Sequence, residues 1–192
     1  TVYEDGSVFI GDGTTNLSYD SSKFISGANT NEASTWLYSL GTILSINNIN
    51  PFNLENVYEI GLHNASYDLY RRYTLSASTT YTFSVYVKLG TSTNFCIVPN
   101  NTAAWNTIIG ATEFTQSNGL NSHSYTRLHI TFTTTSTGLV NIHLGGHSEA
   151  ITQQTTGSVF MFGHQMEVGS YPTPLLTNAT GPTTRAQSSL HL

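Results

Sequence analysis

The chain has 192 residues, enough to bury one domain's core without disulfide support. Only 9% of them are charged and the net charge is −5, against about 25% charged residues in an average globular protein. With 30 threonines and abundant Asn and Ser, that balance excludes electrostatic capture of nucleic acid and suits a surface that hydrogen-bonds neutral polar ligands.

The opening "TVYEDGSVFIGDG" has neither the basic segment nor the apolar core of an export signal. Asp5-Gly6 and Asp12-Gly13 bracket "SVFIG" with tight-turn chemistry. Residues 1–14 therefore read as a linker or stalk-end strand, and 15–192 as the domain. The runs "STWLYSLG", "TILSINNI", "VYEIGLHN" and "YDLYRRYTL" follow as strand candidates, being β-branched and aromatic and separated by Gly, Asn and Ser. In "YDLYRRYTL", Arg71 and Arg72 are adjacent, so they cannot share a strand face and at most one meets a given ligand.

The segment "YRRYTLSASTTYTFSVYVKLG" predicts a hairpin about Ser76–Thr80. In its second run Tyr81, Phe83, Val85 and Val87 point one way, while Thr82, Ser84, Tyr86 and Lys88 point the other. Cys96, in "NFCIVP", is the only cysteine; it reads as a small buried hydrophobe and permits no intramolecular disulfide. "NNTAAWNTIIG" reads as a loop that places Trp105 between Asn101 and Asn106.

A second hairpin is predicted in "YTRLHITFTTTSTGLVNIHLGG", with its turn at Thr135–Gly138. It sets Leu128, Ile130 and Phe132 on one face, pairs them with Val140, Ile142 and Leu144, and brings His129 opposite His143 on the polar side. The last strand, "SVFMFGHQMEV", is apolar on both faces in its first half, as a central strand would be. Pro172 and Pro174 keep the tail beyond Val168 out of any ladder. No apolar run approaches the length of a membrane-spanning helix, and helical periodicity is nearly absent. The fold expected is all-β: a jelly-roll β-sandwich with an extended Pro-rich C-terminal tail.

"YTFSVYVKLGTS", followed further on by "HQMEVGSYPTPLLTNATGPTTRAQ", resembles the carbohydrate-binding-module-like jelly-roll domains at the ends of phage tail fibres and related virion proteins. The family's Gln-Leu-Glu, Gly-Ser, Pro-Thr and Thr-Arg-Ala elements correspond to Gln165-Met166-Glu167, Gly169-Ser170, Pro172-Thr173 and Thr184-Arg185-Ala186. Phe162 stands where the family often has Trp, and Gln187 where it has Asp. The resemblance implies a virion appendage, a homotrimer and a host cell-surface glycan as partner. It also implies that Gln165 and Glu167 bond the departing tail, that Gly169-Ser170 bends it, and that Arg185 anchors its far end.

Sugar recognition needs aromatic faces for pyranose rings and amides or guanidinium groups for hydroxyls. The residues expected to supply them are Trp105, Tyr86, Trp36, Tyr70, Arg71, Asn101 and Asn106. Trp36 competes with a core role, and the arginines with an inter-subunit ion pair. His129 and His143, with His147 nearby, are candidate metal ligands, and Asp5, Asp12 and Asp20 candidate ligands of a structural calcium ion, without a recognised loop signature. No cofactor is assigned. No nucleophile, phosphate-loop or zinc-protease motif occurs. Glu59 with Asp68, and Glu113 with Glu149, are the carboxylate pairs weighed for hydrolysis. The expectation is binding without catalysis.

Overall fold

The computed structural model describes residues 15–18, 24, 36–38, 42–47, 56–63, 69–101, 107–147, 150, 154–176 and 183–184. Their strands are β1 (Thr15–Asn16), β2 (Trp36–Tyr38), β3 (Thr42–Asn47), β4 (Val57–His63), β5 (Leu69–Leu75), β6 (Thr80–Leu89), β7 (Phe95–Asn101), β8 (Thr107–Ile108), β9 (Thr112–Phe114), β10 (Thr126–Thr133), β11 (Gly138–Leu144), β12 (Thr156–Val168) and β13 (Thr183–Thr184). A 3-10 turn, Gln116–Asn118, is the one helical element among the described residues.

The strands form a jelly-roll sandwich. One sheet runs β10-β6-β12-β4-β3, the other β2-β5-β11-β7-β8 with β9 also on β7, and every pairing is antiparallel. The alternating apolar positions meet between the sheets. Phe83, Val85, Val87, Leu128, Ile130, Ile60 and Met161 come from the first, and Leu69, Tyr73, Ile142, Leu144, Phe95 and Ile97 from the second.

Both expected hairpins are instead arches that cross from one sheet to the other. β5 pairs with β11 and β2, and β6 with β10 and β12, so the turn after Leu75 joins the two layers. The turn after Thr133 does the same for β10 and β11. A period of two fixes which residues face the core but not which strand lies alongside. A hairpin sets two apolar faces side by side; an arch sets them opposite one another, and the burial is the same. The two arches bond each other at one end of the sandwich: Ser78 N–H donates to the Thr134 carbonyl at 2.9 Å, and Ala77 N–H to the Thr137 hydroxyl at 3.0 Å.

β12 is the central strand of its sheet, between β6 and β4, as its apolar sequence implied. Its register slips between Phe162 and Gln165: three residues on β12 span the two from Tyr86 to Ser84 on β6. This bulge changes the phase of the strand. His164 and Met166 turn inward, while Gln165 and Glu167 turn outward beneath the chain that leaves β12. Gly163 makes the bulge with φ +60, and a Cβ there would meet Leu175 Cδ2 at 2.9 Å.

After the bend at Gly169, residues 171–176 lie over the outer face as a strap. Thr173 N–H and hydroxyl both donate to the Glu167 carboxylate, and Leu176 N–H donates to Gln165 Oε1 at 2.7 Å. Thr82 hydroxyl holds the Gly169 carbonyl at 2.8 Å, and Arg127 donates to the Thr173 carbonyl. The roles expected of Gln165, Glu167 and Gly169 are thus met. The strap also explains why Thr82 and Ser84, expected on a solvated face, are buried. Further on, Thr183 and Thr184 pair with Asn16 and Thr15, beside Leu17, whose N–H bonds the Met166 carbonyl at 2.7 Å. Arg185 lies outside the described residues.

Candidate functional site

The two sheets turn very different faces outward. On the β10-β6-β12 face, register places Arg127, Tyr86 and Phe162 in consecutive strands. Tyr86 stacks on Phe162 with ring centres 4.9 Å apart and planes 7° apart, and the Arg127 guanidinium lies 5.5 Å from the Tyr86 ring centre. With neighbours on both sides, that ring is filled by the protein. Tyr125 packs edge-on to Phe162, and Lys88 Nζ sits 4.5 Å above Phe160. Together with Leu175 of the strap, these side chains form a half-buried cluster in which the Tyr86 ring has protein neighbours on two sides.

The β5-β11-β7 face is polar. Arg72, Asn141 and Asn100 form one cross-strand row, and Tyr70, His143 and Val98 the next. Tyr70 is half-buried and stacks on His143 at 5.3 Å, with the Arg72 guanidinium 5.5 Å from its centre. His147 meets His143 edge-on at 5.0 Å and accepts a hydrogen bond from Asn100 Nδ2 at 3.4 Å. Burial, and after it the neighbouring His147, lowers the His143 pKa to about 3, so its imidazole is neutral.

Asn141 stands at the centre of this face, on the middle strand. It is 5% exposed, and among the described residues no donor reaches its Oδ1. An amide left that way costs about 1–3 kcal/mol. A donor brought to that oxygen would recover this cost.

Two of the expected residues, Arg71 and Asn101, do not lie on this face. Arg71 points inward and is fully buried. Its guanidinium lies 5.9 Å from the Trp36 ring centre and 5.6 Å from that of Tyr73, and it bonds His164 Nε2 at 3.1 Å. Trp36 is fully buried beside it; it stacks on Phe24 at 4.9 Å and donates to His164 Nε2 at 3.2 Å. Neither presents a surface to a ligand. Asn101 sits in register with the core residue Val140 and donates to the Ser136 hydroxyl at 3.0 Å. The residues that do line it include Asn100 and Asn141, which the sequence reading did not single out, and Arg72, His143 and His147, which it considered in other roles. The signal available was the polar residue at every second position of "LVNIHL" and "RRY" on strands with an apolar inner face.

Trp105 and Asn106 lie outside the described residues. The connection that carries them leaves from Asn101 and returns at Thr107, which pair at the edge of this sheet next to Asn100. Arch connectivity separates the expected histidine pair: His129 is exposed on β10, while His143 is buried on β11 of the other sheet. Among the described residues no three His, Cys, Asp or Glu groups converge to hold a metal, and Asp5, Asp12 and Asp20 lie outside them. Burial pushes the Cys96 thiol up to about 12, so it stays protonated. Glu59 accepts a hydrogen bond from Ser45 on the first sheet, and Glu113 one from Asn94 on the second. Asp68 and Glu149, their candidate partners, are not described.

No protein-family model and no curated protein matches the chain. Solved structures share its fold. The tandem CBM22-1–CBM22-2 domain of Paenibacillus barcinonensis Xyn10C superposes with a TM-score of 0.56 at 8% identity, over 87% of this chain and 48% of that one. The CBM22-1 xylan-binding domain of the same enzyme gives 0.51 at 8% identity, over 80% and 92%. Arabinose-bound MgGH51 α-L-arabinofuranosidase gives 0.51 at 10% identity, over 82% of this chain and 27% of that one. At such identities the likeness establishes the sandwich and leaves the ligand to be argued from this chain's own residues.

Proposed function

We propose that this is a non-catalytic glycan-binding domain of a phage virion appendage, and that it holds a host-surface sugar on the β5-β11-β7 face. The carrying observation is Asn141, a buried residue of a polar face whose Oδ1 meets no donor among the described residues. Arg72, Asn100 and Tyr70 around it are the groups that bond hydroxyls and pack on sugar rings. Trp105 and Asn106, outside the described residues, enter this proposal on their sequence alone, as an aromatic ring and an amide suited to sugar contact. The strap covers the opposite face around Thr82, Ser84 and Glu167. Fold likeness to carbohydrate-binding modules is consistent with the reading. The virion setting rests on the order of the motifs from "YTFSVYVKLG" to "TTRAQ". A homotrimer would turn weak single-site affinity into firm attachment through avidity.

The test is binding of the purified domain to intact cells of candidate hosts and to their surface polysaccharides, with Asn141→Leu and Trp105→Ala beside the wild type. The wild type binds. Asn141→Leu melts at the same or a higher temperature and does not bind, and Trp105→Ala binds more weakly. Binding by Asn141→Leu at wild-type strength, or no binding by the wild type to any host, contradicts the proposal. Mass spectrometry of purified phage particles tests the virion setting.

A further inference from the structure

We infer that β10 is a docking edge for a second copy of this chain, the two β10 strands pairing antiparallel about a two-fold axis at Ile130. The inference is independent of the glycan reading, since it needs neither a sugar nor a virion. β10 ends the strand order of its sheet, and among the described residues it pairs with β6 alone. Its register with β6 runs unbroken from Thr126 to Thr133, without a bulge, and "TRLHITFT" contains neither proline nor lysine. Sheets usually blunt an edge with those devices, or keep it short. The other edges here follow that rule: β3 is bulged between Ile43 and Ser45, and β2 and β8 have 3 and 2 residues.

The bonds around β6 show which groups face the free side. The Thr79 carbonyl accepts from Thr134 N–H at 3.1 Å, on the β10 side, and the Thr80 carbonyl from Gly169 N–H at 2.9 Å, on the β12 side. Main-chain groups alternate along an antiparallel strand. Those of Leu128, Ile130 and Phe132 therefore point to β6, and those of His129, Thr131 and Thr133 point away from it. A two-fold at Ile130 sets His129 opposite the partner's Thr131, and Thr133 opposite the partner's Arg127. Such pairs exchange N–H···O bonds in both directions, and no like charges lie directly opposite. Moving the axis to His129 sets the two imidazoles against each other and leaves Thr133 beyond the paired length.

The strap supplies a second observation. Its Ser170 carbonyl accepts from the Thr131 hydroxyl at 3.2 Å, and its Thr173 carbonyl from Arg127. Tyr171 falls between these anchors, over β10 at the level of His129, and is 74% exposed, the most exposed large hydrophobic residue among those described. Pairing at Ile130 brings both tyrosines beside the axis and gives each ring the partner's β10 to cover. A strand from another protein would meet the same amides but leave Tyr171 in water. Being two-fold, the contact would link one homotrimer to another.

The experiment is sedimentation equilibrium of the purified chain from micromolar to millimolar concentration, together with amide hydrogen exchange by NMR. Pairs are expected to form. The N–H groups of His129, Thr131 and Thr133 should exchange fast in dilute solution and slowly in concentrated solution, while those of Leu128 and Ile130 stay protected throughout. His129→Pro removes an outward N–H and no bond to β6, and it should weaken pairing at least tenfold. Tyr171→Ala, at an exposed position, should weaken it severalfold at an unchanged melting temperature. A chain that stays monomeric at millimolar concentration overturns the inference and leaves the edge to a strand from another protein. Association in which the three amides still exchange fast overturns it too, as does pairing that Tyr171→Ala leaves at full strength.

Discussion

Glu167 accepts two hydrogen bonds from Thr173, one from the backbone N–H at 3.1 Å and one from the hydroxyl. Both residues are buried, although six positions earlier or later the same chain is a strand centre or a surface strap. A carboxylate in this position turns a proline-flanked segment that cannot pair as a strand into a fixed cover for the β10-β6-β12 face.

Replacing Glu167 with Ala therefore leaves a buried N–H unpaired and removes a charge-assisted acceptor. The expected loss is about 2–4 kcal/mol, read as a lower denaturation midpoint with early proteolysis between Val168 and Leu176. An unchanged midpoint would contradict the role of the strap.

Gly163 tests the same cover from below. Alanine there meets both left-handed strain, at φ +60, and Leu175 Cδ2 at 2.9 Å. The strain alone costs about 1–2 kcal/mol. Gly163→Ala should lower the midpoint by at least that much and expose the strap to protease. Stability equal to the wild type would show that the close approach of Leu175 is not maintained.

Arg71 and Arg72 should separate stability from binding. Arg71→Ala opens a cavity beside Trp36 and removes a donor from His164 Nε2, and it should cost more than about 2 kcal/mol. Arg72→Ala, on the outer face, should cost under about 1 kcal/mol and weaken glycan binding. The reverse pattern would mean that the faces are misassigned.

His143 gives the fold a defined acid sensitivity. Its folded pKa of about 3 lies below the value near 6.5 of an unfolded chain. The unfolded state thus takes up a proton that the folded state refuses. The contribution of the neutral imidazole is complete above about pH 6.5 and is lost as pH falls toward about 3, by up to about 1.4 kcal/mol per pH unit. Comparing wild type with His143→Gln between pH 7 and pH 4 isolates this slope from that of the carboxylates. Parallel stability curves would contradict it.

The alternation of "YTFSVYV" and "RLHITF" carried the all-β class and the inward residues into view, because core burial leaves a period of two in the sequence. Strand partners were hidden, since hairpins and arches bury Leu75 and Tyr81 equally well. The tail was legible in Gln165, Glu167 and the prolines, whose bonding needs are local. The proposed binding face was half legible: the rule that Arg71 and Arg72 must part was available, but which one turns outward depends on Trp36 and His164, distant in sequence. Asn141 was marked only as a polar residue alternating with apolar ones in "LVNIHL". Its meaning comes from lying between Arg72 and Asn100 on two other strands.

The central claim is that the β5-β11-β7 face takes the ligand, and amide-resolved NMR titration of the isotopically labelled domain with a bound oligosaccharide tests it most directly. The account predicts shift changes concentrated at Tyr70, Arg72, Asn100, Asn141 and His143, with Tyr86, Phe162 and the strap unmoved. Changes centred on Tyr86, Lys88 and Phe160 instead would contradict it.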